Sequence, residues 1–205
     1  MRLLARPLPS KTSVRGLFPG LRRVIVALGA VMAAVLAPNA QVGAEDLPTY
    51  DPRIQTALTL LDASLATNQL RGVLASNQVD IRFQPMPPGV YARYSVARHV
   101  IEIDDRWIDS DDITLAAVIS HEATHAQDAV SGFLSSGGTS ACIDSEVRAF
   151  RTSALFWIGQ YGSTGKLNAL SELDRQLNSI ADRQLRDPQG LEALVRQTYS
   201  QQCNH

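Results

Sequence analysis

His121-Glu122-Ala123-Thr124-His125 forms an H-E-x-x-H pattern. The surrounding stretch, residues 113–130, holds no Pro or Gly and is rich in helix-forming apolar residues, so a helix is expected there. Residues four apart on a helix share a face. Both imidazoles can then reach one cation, with Glu122 beside them to take a proton from water. That is the chemistry of metal-assisted hydrolysis, with zinc the usual ion. Two histidines and a glutamate following Leu115, Ala116, Ala117, Val118 and Ile119 are costly to bury without a partner. A metal ion is the partner that satisfies all three.

A catalytic zinc takes three protein ligands and keeps one position for water. The remaining histidines, His99 and His205, lie in a strand-like run and at the last position. A third histidine continuing the motif would fall at Ser131, after a glycine at Asp128, so that variant is excluded. Glu146, on the next expected helix, is the best third ligand, with Asp144 as the alternative. A donor to the substrate oxygen could come from Tyr91, Tyr94, Tyr161 or Tyr199, and spacing singles out none of them.

The elements that must position these groups read as α+β. Ile54, Ala57, Leu58, Leu61 and Leu65 predict a helix over residues 53–67. Residues 79–83 and 99–103 alternate as strands, and 89–94 is a weaker third, separated from the first by Pro85, Pro87, Pro88 and Gly89. A small, mostly antiparallel sheet is expected, with 100–103 as its edge above the cleft, where an extended peptide could add. The carboxylates Asp104, Asp105, Asp109, Asp111 and Asp112 suit a helix start and lack a calcium-loop signature. The motif helix should run over 112–130, stopped by Gly132. A polar link at 135–140 precedes a second helix at 141–160. Leu167, Leu170, Leu173, Leu177, Ile180 and Ala181 mark an amphipathic helix, and a last one spans 191–200 beyond Pro188.

H-E-x-x-H followed by Glu146-Val147-Arg148-Ala149 resembles the gluzincin clan of zinc metallopeptidases. The resemblance spans roughly residues 79–161 and includes the order strands, motif helix, Glu-bearing helix. It implies a zincin-like fold with His121, His125 and Glu146 as zinc ligands and Glu122 as catalytic base. In thermolysin-like members an Asp often stands four residues after the ligand Glu. Here that position is Phe150. Asp144, Asp128 or Ser153 would have to orient the histidines instead, and the chain is closer to short exported bacterial members than to the thermolysin family proper.

Residues 1–44 carry six basic residues and no acidic one, then a 14-residue apolar run at 24–37 and small residues before Glu45. This reads as a secretory signal, with an uncleaved membrane anchor as the alternative. Residues 45–205 are expected to form a single domain. Of 19 basic and 20 acidic residues, that part keeps 13 and 20, a net charge of −7, which disfavours nucleic-acid binding. Cys142 and Cys203, the only cysteines, are expected to pair in an oxidising compartment. The bridge closes a long loop and is worth about 3–4 kcal/mol in the chain-entropy model. The expectation is a secreted or periplasmic zinc peptidase acting on peptides or proteins, soluble once the signal is cut. A zinc amidase of cell-wall peptides and an inactive zinc-binding envelope protein are the alternatives.

Overall fold

The computed structural model describes residues 50–204. Residues 1–49, on which the expected secretory signal falls, and His205 lie outside them. The described residues form seven α-helices and a three-stranded sheet, an α+β arrangement. Helices α1 (Pro52–Asp62) and α2 (Leu70–Ser76) come first, followed by β1 (Asp80–Gln84), β2 (Ala92–Ser95) and β3 (Val100–Asp104). Then come α3 (Asp112–Val130), a short α4 (Phe133–Ser136), the long α5 (Gly138–Tyr161), α6 (Glu172–Arg186) and α7 (Pro188–Tyr199).

The sheet order is β1-β3-β2, with β1 and β3 parallel and β2 and β3 antiparallel. It is therefore mixed rather than mostly antiparallel. Residues 100–103 also lie in the central strand, not at an edge. The reason is visible in β3, where all five residues are buried. Ile101 and Ile103 join the main core. Glu102, on the other face, is covered by Arg82, Arg93 and Arg98, at 3.1, 2.6 and 2.8 Å. A strand covered on both faces belongs inside a sheet. The edge strand that packs on the motif helix is β2.

Helix α3 is the hub. Asp111 caps it by accepting from the Thr114 N–H at 3.0 Å, the role foreseen for the acidic run. Residues 114–126 are buried without interruption, enclosed by α1, α2, α5 and β2. Two of its buried polar residues are satisfied within the helix: Ser120 donates to the Ala117 carbonyl and Thr124 to that of Ser120, both at 2.8 Å. His121, Glu122 and His125 have no such recourse.

A second, smaller core lies where α5, α6 and α7 meet, built from Val147, Phe150, Ile180, Val195 and Tyr199 among others. Cys142 and Cys203 are joined, with Cα atoms 5.7 Å apart, and tie the chain end to α5. The expected helix through Leu167 and Leu170 begins only at Glu172, and both leucines stay exposed. Gly165 (φ +67°) breaks the chain there, and the Asn178 side chain clamps Lys166 through its N–H (2.8 Å) and its carbonyl (2.9 Å). A Cβ at Gly165 would stand 2.5 Å from Asn178 Oδ1, so only glycine permits the clamp. Pro188 begins α7 as its first residue instead of interrupting it.

Candidate metal centre

His121 and His125 project from one face of α3 toward Glu146 on α5. The His121 Nε2 lies 3.7 Å from one carboxylate oxygen of Glu146, and the His125 Nε2 lies 3.6 Å from the other. One ligand atom from each residue falls within 4.8 Å of the others, so the three form a group that could hold a metal ion. Zinc bonds of about 2.0–2.1 Å in tetrahedral geometry put neighbouring ligand atoms ~3.3 Å apart. The His–Glu separations exceed this by a few tenths of an ångström, within reach of small side-chain adjustments.

Polar satisfaction supports the fit. His121, His125, Glu122 and Glu146 are 8, 2, 2 and 1 % exposed. Both Nε2 atoms and one carboxylate oxygen of each glutamate are buried with no hydrogen-bond partner. Native interiors rarely leave such groups unpaired, and those of His121, His125 and Glu146 lie close enough together to suit a cation.

The electrostatics agree. Burial pulls both imidazoles down to about 4; for His125 the Glu146 carboxylate opposes this and His121 adds to it. Burial, and then repulsion from Glu146, push the Glu122 carboxyl up to about 8, against a backbone N–H from Tyr94 on β2 that lowers it. Burial raises Glu146 to about 7, with His125 pulling the other way. The histidines are therefore neutral at neutral pH, as metal ligation requires.

Behind the ligands lies a relay whose serine the sequence reading missed. The His125 Nδ1 is 2.8 Å from Ser145 Oγ. Ser145 in turn stands beside Asp128, whose carboxylate pairs with Arg148 at 2.8 Å. With Nδ1–H donating to Ser145, the His125 Nε2 presents its lone pair to the centre. Of the residues expected to orient the histidines, Asp128 stands behind Ser145 without touching either ring. Ser153 donates to the Phe150 carbonyl. Asp144 points away to Arg196 at 2.7 Å, so it is neither a ligand nor an orienting group. His99 is exposed in a left-handed turn before β3 and takes no part. Phe150, standing where thermolysin-like members often carry an Asp, sets its ring edge-to-face on His121 at 4.7 Å. The only hint of Ser145 in the sequence was its position next to Glu146, a weak signal.

A pocket opens onto His121 and Glu122, with a cavity of about 50 Å³, walled chiefly by Val118, Phe150, Leu173, Leu177 and Ile180. No family model matches the chain, and neither a curated protein nor a solved structure does.

Proposed function

We propose that the protein is an exported zinc-dependent peptidase of zincin-like construction that hydrolyses amide bonds of peptides or proteins. The observation that carries this reading is the convergence of His121, His125 and Glu146, buried and otherwise unpartnered, beside Glu122 and the pocket.

His121, His125 and Glu146 would hold the ion. The Ser145, Asp128 and Arg148 relay fixes the His125 ring. When bound, zinc supplies water acidified to a pKa of about 7 and polarises the substrate carbonyl. Glu122 takes the proton of the attacking water on its unpartnered oxygen and returns it to the leaving amine. Its raised pKa keeps that proton transferable near neutral pH, and a cation alongside draws the value down from about 8. The Tyr94 N–H, donated from β2, holds the carboxyl in place. The aliphatic walls of the pocket suit an apolar side chain next to the attacked bond, which favours a peptide over a polar cell-wall amide. The disulfide accords with export to an oxidising compartment.

The test is metal analysis together with turnover. Purified wild type should hold one zinc per chain and cleave casein or a fluorogenic peptide until chelator is added. His121→Ala and Glu146→Ala should lose the metal. A folded wild type that takes up no zinc refutes the proposal. The near-complete burial of the ligands also suits a metal-holding protein without turnover. Stoichiometric zinc with no cleavage of any peptide would establish that second reading.

A further inference from the structure

The sheet carries a charged cluster on the face turned away from the core. Arg82 on β1 and Arg93 on β2 both stand level with Glu102 on β3, so a row of arginine, glutamate and arginine crosses all three strands. Arg98 joins it from the short turn between β2 and β3, four residues before Glu102. The Glu102 side chain is fully buried beneath them. Those of Arg82, Arg93 and Arg98 are 48, 28 and 50 % exposed.

One guanidinium fork can satisfy a carboxylate. Here three cations meet its two oxygens. Arg82 takes Oε1 through a terminal nitrogen at 3.1 Å. Arg93 and Arg98 share Oε2, the first through Nε at 2.6 Å and the second through a terminal nitrogen at 2.8 Å. The Arg98 Nε turns to Ser95 Oγ at 3.3 Å. Both terminal nitrogens of Arg93 and one of Arg98 find no acceptor among the described residues. Asp80, on the same face of β1 as Arg82, is half-exposed and 4.0 Å from it, beyond hydrogen-bond reach. It tempers the charge on that flank, so the excess lies with Arg93 and Arg98. Residues 45–205 are acidic as a whole, with 13 basic and 20 acidic residues, yet this face is cationic.

We propose that this face binds a phosphate group, held by the outward N–H groups of Arg93 and Arg98. Glu102 is the buried pivot. It sets the two guanidiniums side by side, so an anion finds its donors already ordered and the entropic cost of binding falls. A phosphoryl group carries about −1.5 to −2 charge at neutral pH and offers three acceptor oxygens. Two adjacent guanidiniums match that better than they match the single charge and two oxygens of a carboxylate. Helix α3 packs against the opposite, core-facing side of the sheet, so this site is separate from the metal centre.

The test is calorimetry on the full disulfide-bonded, zinc-loaded protein. The probes are inorganic phosphate, a phosphoserine peptide, the same peptide without phosphate, and acetate. Wild type should bind one phosphate per chain with a Kd below about 1 mM, as two charge-assisted hydrogen bonds allow. Acetate and the plain peptide should bind at least about 10-fold more weakly. Arg98→Gln removes a residue of the turn and leaves Arg82 and Arg93 on Glu102. It should keep its zinc and weaken phosphate binding about 10-fold. Arg98→Lys keeps a cation beside Glu102 but loses the fork, and it should weaken phosphate by about threefold or more. If the glutamine variant melts early, the lysine variant decides. Phosphate bound equally by wild type and both variants sits elsewhere, the metal included, and overturns the proposal. So does the absence of binding by either phosphate probe, or acetate that binds as tightly as phosphate. The two phosphate probes separate the sources: a peptide at least about 10-fold tighter than the ion assigns the site to a phosphorylated chain, and any smaller difference assigns it to the free ion. Zinc content and peptide turnover test the hydrolase reading separately.

Discussion

Glu102 on the sheet and Glu122 on the motif helix are both buried carboxyls, and their surroundings drive them in opposite directions. For Glu102 burial alone would raise the pKa, but hydrogen bonds from Arg93, Arg82 and Arg98 outweigh it and hold the carboxyl below its ordinary range. Glu122 has no cation beside it and rises to about 8. The first carboxyl is finished by the chain itself and serves the sheet. The second, with its neighbours His121, His125 and Glu146, is left unfinished, and what it lacks is a positive charge. Buried groups the fold satisfies read as structure, and buried groups it leaves open together read as a site.

That contrast can be broken most sharply at Glu122. Glu122→Gln should retain zinc and lose turnover by about 10²–10⁴-fold, the usual worth of a general base; wild-type kcat in the variant would remove Glu122 from the chemistry. Next, Ser145→Ala should weaken zinc affinity about 10–100-fold, the typical effect of losing a partner that orients a ligand histidine. Competition with a chromogenic chelator measures this, and unchanged affinity would make the relay incidental. Glu102→Gln should behave in the converse way. It should leave zinc content untouched yet cost about 2 kcal/mol of stability, a figure discounted because the three guanidiniums are partly exposed. Urea unfolding reads this directly, and any loss of zinc would blur the distinction.

The smallest effect concerns pH in chelator-stripped protein. Glu122 and Glu146 titrate higher folded than unfolded, so their contribution is full below about 4.5 and lost as pH rises through about 7 and 8. His121 and His125 titrate lower folded, so theirs is full above about 6.5 and lost as pH falls through about 4. The two trends oppose each other between about 4.5 and 6.5, and above that only the carboxyls act. The melting temperature of stripped protein should therefore fall from pH 6.5 to 8.5, while zinc-loaded protein should lack that decline. A flat profile in both would mean that the carboxyls are not held protonated.

The motif helix was legible to the residue, 112–130, because one long unbroken pattern with an acidic cap leaves few alternatives. Glu146 was legible as the expected third ligand, and the structure brings it to the two histidines. The relay through Ser145 was not, because a serine beside a glutamate looks like any helix residue until α3 and α5 are packed together. Strand order was hidden for a similar reason. The alternation in β3 promised one exposed face, yet three arginines from residues 82, 93 and 98 cover it. Leu167 and Leu170 kept a helical period, but Gly165 and the Asn178 clamp, a contact between distant residues, decided the local path. Helix α2 is short and contains Gly72, which gave pattern reading little to act on.

The Tyr94 N–H that Glu122 receives belongs to the outer rim of β2, an edge strand. Open rims invite other chains to pair with them. Glu122 occupies one such amide from within the fold, so shortening it to Ala should strand that N–H as well as remove the base, whereas Gln keeps an acceptor for it.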